Sequence, residues 1–490
     1  MDLKRQAVTS TAWYAGTRLV TQVITWSVTL VLARLLMPAD YGLFAMALAV
    51  IAFLELFQEF GLGVAIIQRQ NMSREQLNAI FWTVTGSSAI LAAVAIAGAG
   101  VAARFYHEPR LEPIVRVLGL TFLLNALGLV PFNLLTKEID FRRRSLAEGV
   151  AAVSAAAVSL ALAAGGKGVW ALVVGNLTRT LIFNVGAAFA CRWWPGLRSS
   201  FQEMGEIFKF GLRVAGTGAV NSLSTAVNTS IVGRQLGGAD LGLYTMADSL
   251  GRSNPLHKIS TSVVTQLALA VFSKLQRDDA ELRRYFLKIS RYLALMSLPL
   301  QIGMALTAHD LVEILLSAKW LPIVPVLQAF CVGGILSIMP LPSFPLLTAR
   351  GQVTPVFRYT VGFAIVMAVV TYAGCLFGLQ GVAVAWLIAF PLLRLIPLQL
   401  SLREAGIRAA EYLKTIAAPV QATLVMAALV AFVVHVAMAG QVPGVRLAVS
   451  VATGAVAYLG TLLLIDRSLG AELREILRLL RPGAGRGEPA

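Results

Sequence analysis

The stretch AGTRLVTQVITWSVTLVLARLLMPADYGLFAMA, from Ala15 to Ala47, decides the fold because the chain repeats it further on. Residues Ala215–Ala247 read AGTGAVNSLSTAVNTSIVGRQLGGADLGLYTMA, and 14 of the 33 positions are identical without a gap. Each copy contains an apolar run, a short break with turn residues and a second apolar run, which predicts a helical hairpin in a membrane. Apolar bias explains the shared Arg, Asp and Gly poorly, so the repeat predicts two duplicated lobes with a substrate site between them.

The composition indicates a membrane protein. The chain has 490 residues, of which 57% are hydrophobic and 13% charged, whereas soluble domains contain about 25% charged residues. Successive apolar runs of about 20 residues are long enough to cross the hydrocarbon layer, and their backbone groups must be satisfied internally, so the spans should be helices. We therefore predict an all-α polytopic membrane protein with about 14 transmembrane helices. The predicted domains are an N-lobe (1–200), a C-lobe (201–405), two additional helices (406–466) and a cytoplasmic tail (467–490).

The distribution of basic residues predicts the topology. The net charge is +16, but Lys and Arg lie mainly in short loops, where topology and anionic lipid account for them better than nucleic acid does. With the N-terminus in the cytoplasm, 27 of the 41 basic residues fall on the cytoplasmic side and 8 on the other. This imbalance predicts an even number of spans with both termini cytoplasmic.

No sequence motif predicts an enzyme. The three Cys and four His residues are scattered, so neither a disulfide framework nor a metal site is expected. Neither a Walker A loop nor a Gly-x-Ser-x-Gly elbow is present. We therefore expect no catalytic residues, no metal and no cofactor, although the chain could use a coupling ion.

Charged residues inside the predicted spans are the candidates for function, because such groups are costly at membrane depth unless they face a wet cavity or a partner. They predict a cationic cavity for an anionic headgroup, with carboxylates that bind an ion or a proton. The alternative is local pairing or snorkelling to the interface, since Asp248 and Arg252 are four residues apart and can pair on one helix face. The candidate substrate-binding residues are Arg18, Arg252 and Arg179. The candidate ion-coupling residues are Glu55, Glu59 and Asp248.

The polar residues of the repeat favour a structural role. Asp40 and Asp240 precede apolar runs, where a carboxylate can cap exposed amides. Gly42 and Gly242 allow a turn or close packing. We therefore expect this motif to shape the hairpins.

Several segments resemble the polysaccharide flippases of the multidrug/oligosaccharidyl-lipid/polysaccharide exporter superfamily, and among them the lipopolysaccharide, O-antigen and colanic-acid type exporters. The resemblance covers nearly the whole chain and is least distinctive in the last two spans. The segments that carry it are ARLLMPADYGLFAMA (Ala33–Ala47), FGLGVAIIQRQ (Phe60–Gln70), DFRRRS (Asp140–Ser145), GVWALV (Gly168–Val173), IVGRQLGGADLGLYTMADSL (Ile231–Leu250), FSKLQRDDAELRRYF (Phe272–Phe286) and KWLP (Lys319–Pro322).

The resemblance implies two six-helix lobes around a central cavity in the bacterial inner membrane. It also implies transport of an undecaprenyl-pyrophosphate-linked oligosaccharide from the cytoplasmic to the periplasmic leaflet by alternating access coupled to H⁺ or Na⁺. Possible partners are a polysaccharide polymerase and the export machinery, besides membrane lipid, and no nucleic acid is expected. Arg18 and Arg252 are expected to hold the diphosphate in a shared cavity. The alternatives are a drug/cation antiporter of the same superfamily and a non-transporting scaffold of a polysaccharide synthase complex.

Overall fold

The computed structural model describes residues 20–58, 61–69, 72–138, 141–200, 204–252, 268–269, 271–438 and 440–465. These residues form helices and connections, and no β-strand occurs among them. The predicted all-α polytopic fold is confirmed.

The first half of the chain contains nine α-helices in the described ranges. They are α1 (Val20–Leu35), α2 (Pro38–Glu55), α3 (Leu62–Gln68), α4 (Arg74–Tyr106), α5 (Leu111–Leu118), α6 (Leu120–Lys137), α7 (Phe141–Ala164), α8 (Trp170–Cys191) and α9 (Met204–Gly251).

The second half continues the same helical pattern. Its described helices are α10 (Asp279–Leu306), α11 (Ala308–Leu315), a 3₁₀ helix (Ala318–Ile323), α12 (Val324–Ile338), α13 (Ser343–Ala349), α14 (Val353–Cys375), α15 (Gly378–Glu404), α16 (Ala409–Phe432) with a π-helical extension (Val433–Ala437), and α17 (Pro443–Ile465).

Eleven helical segments in the described ranges are long and apolar enough to cross a membrane, and the shorter helix α1 is also apolar. The chain is therefore a multi-pass membrane protein. The total of 14 spans stays a prediction.

Local sequence signals explain where several helices begin and bend. The Ser73 hydroxyl accepts a hydrogen bond from the Gln76 amide, and the Gln76 side chain accepts one from the Ser73 amide, so a reciprocal cap begins α4. Asp278 caps α10 in a similar way by accepting from the Glu281 amide. Within α9, Gly237 has φ 84° and breaks the helical geometry, and glycine adopts such a left-handed φ without the steric penalty of a Cβ.

The chain divides into two compact units. Unit 1 comprises Met1–Met246, Leu315–Ile323 and Phe357–Ala385, and unit 2 comprises Ala247–Ile314, Val324–Val356 and Trp386–Ala490. The lobe boundaries predicted from the repeat stay a prediction.

Each unit has its own packing. In unit 1, α8 packs against α6 and α7, and small residues allow close approach: a Cβ at Gly175 would lie 1.8 Å from the Ser159 hydroxyl oxygen. In unit 2, α10 packs against α12 and α16, and α16 packs against α17. One hydrophobic cluster of unit 2 includes Phe272, Phe286 and Tyr412.

Candidate anion-binding site

Two arginines share one aromatic cluster in unit 2. Arg252 lies at the C-terminal end of α9, and its guanidinium carbon is 4.0 Å from the Trp386 ring centre and 5.2 Å from that of Phe390. Arg394, one turn after Phe390 on α15, lies 5.2 Å from the same Phe390 ring. The two guanidinium groups therefore flank one ring. We call Asp248, Arg252, Trp386, Phe390 and Arg394 the arginine cluster.

Flanking aromatic residues complete the surroundings of the arginine cluster. Phe330 of α12 lies 4.9 Å from the Arg252 guanidinium carbon, and Phe344 of α13 lies 5.7 Å from that of Arg394. The Trp386 and Phe390 rings stack on each other with centres 5.4 Å apart. Stacking on aromatic faces stabilises a guanidinium through the ring quadrupole, an effect that strengthens when water is excluded.

Asp248 holds Arg252 within the cluster. The Arg252 Nε donates to Asp248 Oδ1 at 2.6 Å, and an Arg252 terminal nitrogen also contacts that oxygen. The side chains are 19% and 25% exposed, respectively. The i,i+4 pairing foreseen from the sequence is therefore present. With two cations and one carboxylate, the arginine cluster carries a formal charge of +1.

A buried amide stabilises the end of α9 next to the cluster. Gln301 of α10, which is 1% exposed, donates from Nε2 to the Gly251 carbonyl at 3.2 Å. This bond satisfies a carbonyl in the last turn of α9, where helical partners run out. Arg252 is therefore positioned by its own carboxylate, by the rings and by an anchored backbone.

The other predicted site residues have different surroundings. Arg179 is exposed on α8, and no described residue forms an ion pair with it. Glu55 is the last residue of α2 and is exposed. Both lie in unit 1, whereas Asp248 and Arg252 lie together in unit 2. Arg18 and Glu59 lie outside the described residues, so their roles, and the cavity shared by Arg18 and Arg252, stay predictions.

Arg394 was not among the candidate residues that the sequence singled out. It lies sixteen residues after the start of α15 and ten before its end, so it is well inside an apolar helix. The signal that could have found it is the spacing of Trp386, Phe390 and Arg394 at intervals of four residues, which places all three on one helix face.

The repeated motif brings its two copies into direct contact within unit 1. A Cβ at Gly42 would lie 1.7 Å from the Gly238 carbonyl oxygen, and a Cβ at Gly242 would lie 1.8 Å from the Pro38 carbonyl oxygen. Position 42 corresponds to 242 in the repeat, and 38 corresponds to 238. The two contacts are therefore equivalent under exchange of the copies. We call this contact the repeat seam.

The repeated arginines fasten the same region. Arg34 donates from Nε to the Leu315 carbonyl at 3.1 Å, and Lys319 and Trp320 donate to the Arg34 and Ala33 carbonyls at 2.7 Å each. Arg234 correspondingly donates to the Phe105 carbonyl at the end of α4. Each repeated arginine therefore bonds to a segment from the other predicted lobe.

The structural role expected for Asp40 is confirmed, because its Oδ2 accepts a hydrogen bond from the Met37 amide at 2.9 Å at the start of α2. The close packing expected at Gly42 and Gly242 is also confirmed, since no side chain fits at either position without movement of the backbone. The glycines at equivalent positions of the two copies therefore permit the close contact of the repeat seam.

The chain is similar to proteins of polysaccharide biosynthesis. It is 26% identical over 398 residues to the lipopolysaccharide biosynthesis protein WzxC of Escherichia coli, covering 79% of each chain. It is 25% identical over 467 residues to the succinoglycan biosynthesis transport protein ExoT of Rhizobium meliloti, covering 94% of this chain and 92% of the relative.

The fold is similar to that of a solved lipid flippase. The superposition on the lipid II flippase MurJ in its inward closed conformation has a TM-score of 0.72 at 12% identity, covering 93% of this chain and 99% of the other. The family profile described as "polysaccharide biosynthesis protein" matches residues 31–325, which is more than half of the chain. The chain therefore belongs to this family of polysaccharide biosynthesis proteins.

Proposed function

We propose that this protein is a flippase that moves undecaprenyl-diphosphate-linked polysaccharide repeat units from the cytoplasmic to the periplasmic leaflet of the bacterial inner membrane. The observation that carries the proposal is the arginine cluster, which places two guanidinium groups beside one ring, one from the end of α9 and one from within the apolar helix α15. Family membership and the names of the relatives support a role in polysaccharide biosynthesis. The charge imbalance supports cytoplasmic termini.

The arginine cluster suits a diphosphate headgroup. Guanidinium groups match phosphate oxygens with paired donors, and the formal charge of +1 attracts an anion. Asp248 competes with the substrate for Arg252, so binding stays reversible, as a transporter requires. A charged headgroup that enters from the bilayer surface would exchange its water for these donors.

Transport requires that the substrate site opens to each side in turn, and we propose that H⁺ or Na⁺ binding drives the change. Glu55 is the first candidate for this ion. The C-terminal end of a helix attracts cations through the helix dipole, and the Glu55 carboxylate lies at the end of α2. A cation there would be attracted both by the Glu55 carboxylate and by the negative end of the α2 dipole.

We propose that the chain performs no covalent chemistry and translocates its substrate unchanged. The substrate is then used in the periplasm by a polymerase and the export machinery. The main rival is a drug/cation antiporter with the same fold. A cationic drug would be repelled by the formal charge of the arginine cluster, which argues against this alternative.

An experiment in cells separates transport from a scaffolding role. The protein is depleted in its native host, and the cells are exposed to a sugar-oxidising reagent that does not cross the inner membrane. The lipid-linked repeat units are then extracted, and the fraction that the reagent has labelled is measured. We expect complete repeat units to accumulate and to escape labelling. Accumulation of incomplete units would indicate a scaffold of the synthase complex, and fully labelled units would exclude a flippase role.

A further inference from the structure

Unit 1 contains a cavity of about 840 Å³ bounded by α2, α4, α9 and α14. This volume lies within the range of about 300–1,000 Å³ that is usual for ligand pockets. Large apolar side chains along it are accessible: Phe53 is 50% exposed, Val94 48% and Val101 59%. We call this cavity the α4 groove, and the proposed transport does not use it.

Three polar side chains of the α4 groove gather at one end. Tyr106, the last residue of α4, donates its hydroxyl to the Ser230 hydroxyl of α9 at 2.7 Å. Arg234 follows Ser230 by one turn and lies just before the break at Gly237. The groove is therefore amphipathic along its length, with a polar end where α4 stops.

The walls that α2 and α4 contribute to the rest of the groove are apolar over the depth of one leaflet. Its lining on α4 runs from Val94 to Tyr106, and a helix of this length extends about 18 Å. Half of the hydrocarbon core of a bilayer is about 15 Å thick. An acyl chain with its headgroup at the polar end would thus reach the membrane midplane within the groove.

The polar end carries the positive charge of Arg234. Arg234 donates to the Phe105 carbonyl and lies over the Phe105 ring at 4.8 Å, and no carboxylate in the described ranges pairs with it. Glu108 follows Tyr106 by two residues, and its Oε1 accepts a hydrogen bond from Arg110 Nε at 2.8 Å. This hydrogen bond lowers the pKa of the Glu108 carboxyl, so Glu108 stays ionised and engaged with Arg110.

We propose that the α4 groove binds one glycerophospholipid of the bilayer, with its phosphate at Arg234 and an acyl chain along α4. Charge complementarity selects the phosphate, and the single-leaflet depth selects an acyl chain. A polyprenyl chain of eleven isoprene units is much longer than one leaflet is deep, so the proposed substrate fits this groove poorly. The bound lipid would lie next to the repeat seam and support the ends of α4 and α9.

Native mass spectrometry of the detergent-purified full-length protein tests this site. Phosphatidylglycerol is titrated, and the dissociation constant of the first bound lipid is measured; diacylglycerol serves as a probe with the same chains and no phosphate. We expect diacylglycerol to bind at least about 10-fold more weakly, and Arg234→Gln to weaken phosphatidylglycerol by a similar factor, as expected when a hydrogen bond to a charged group is lost. Arg104→Gln, the matched control at the same end of α4, should bind like the wild type.

A second variant fills the apolar part of the α4 groove. A Cβ at Gly98 would meet no atom within 4 Å, so Gly98→Phe can occupy the groove while the fold is kept. It should abolish the first binding event for phosphatidylglycerol, whereas Gly362→Phe, at an equally open glycine outside the groove, should not. Unchanged binding in both Arg234→Gln and Gly98→Phe would overturn the proposal. Displacement of phosphatidylglycerol by undecaprenyl diphosphate at an equal concentration would also overturn it, because the groove would then bind the polyprenyl lipid.

Discussion

At the scale of single residues, several side chains fix the position of the Arg252 guanidinium group. Asp248 and three aromatic rings contact its guanidinium group. Arg394 shares the Phe390 ring from within the apolar helix α15. We therefore expect Arg394 to contribute to anion binding alongside Arg252.

Replacing Arg394 tests this contribution. Arg394→Gln should weaken binding of undecaprenyl diphosphate by about 10-fold or more, because a hydrogen bond to a charged group contributes about 1.5–3 kcal/mol. Arg403→Gln, in the exposed last turn of the same helix, should bind like the wild type. Binding by the purified proteins can be measured by scintillation proximity with a labelled lipid. Equal affinities for the two variants would remove Arg394 from the site.

Asp248→Asn should act in the opposite direction. It removes the carboxylate that competes for Arg252, and it raises the formal charge of the arginine cluster from +1 to +2. We expect tighter binding of undecaprenyl diphosphate in the same assay. Weaker binding would mean that Asp248 mainly positions Arg252, and the competition described above would then be wrong.

Glu55 provides the residue-scale test of ion coupling. Glu55→Gln keeps the size of the side chain and removes its charge at the end of α2. Transport by this variant should persist down the substrate gradient but lose its acceleration by an imposed H⁺ or Na⁺ gradient, measured in proteoliposomes. Glu75→Gln, at an exposed carboxylate in the first turn of α4, serves as the matched control with normal coupling.

At the scale of helices, the repeat seam is the feature with the sharpest steric requirement. The two copies touch through Gly42 and Gly242, each against a backbone carbonyl. Because the contacts are equivalent, Gly42→Ala and Gly242→Ala should destabilise the fold by similar amounts. Overpacking of this kind typically costs about 1–3 kcal/mol.

Thermal unfolding in detergent measures this effect. Gly86→Ala is the control, because a Cβ at this position on α4 meets no atom within 4 Å, and alanine favours a helix over glycine by about 1 kcal/mol. The midpoint should fall for both seam variants and stay level or rise for Gly86→Ala. A stable Gly42→Ala protein would show that the helices separate easily at the repeat seam.

The positions of most helices could be predicted from the sequence because apolar runs of membrane length have few alternative structures. The helices α4, α7 and α16, for example, coincide with apolar runs of this length. The surroundings of Arg394 could not be predicted in full, because the Phe344 ring comes from α13 and the neighbouring Arg252 comes from the end of α9. Their approach depends on tertiary packing, which periodicity in one helix does not report.

At the scale of the whole molecule, the duplication and the arginine cluster both support the proposed transport. The repeat predicts that residues 1–200 and 201–405 form related lobes, and the family places the chain in polysaccharide biosynthesis. The central claim is that the protein moves a lipid-linked oligosaccharide across the bilayer. This claim concerns movement between leaflets, so binding alone does not establish it.

The most direct measurement is translocation in proteoliposomes that contain the purified protein and an undecaprenyl-diphosphate oligosaccharide with a fluorescent sugar. A membrane-impermeant quencher reports the fraction of the lipid in the outer leaflet over time. We predict that wild-type protein accelerates the exchange between leaflets, that Arg394→Gln slows it by about 10-fold or more, and that Arg403→Gln leaves it unchanged. Exchange by the wild type at the rate of protein-free vesicles, under every imposed ion gradient, would contradict the account.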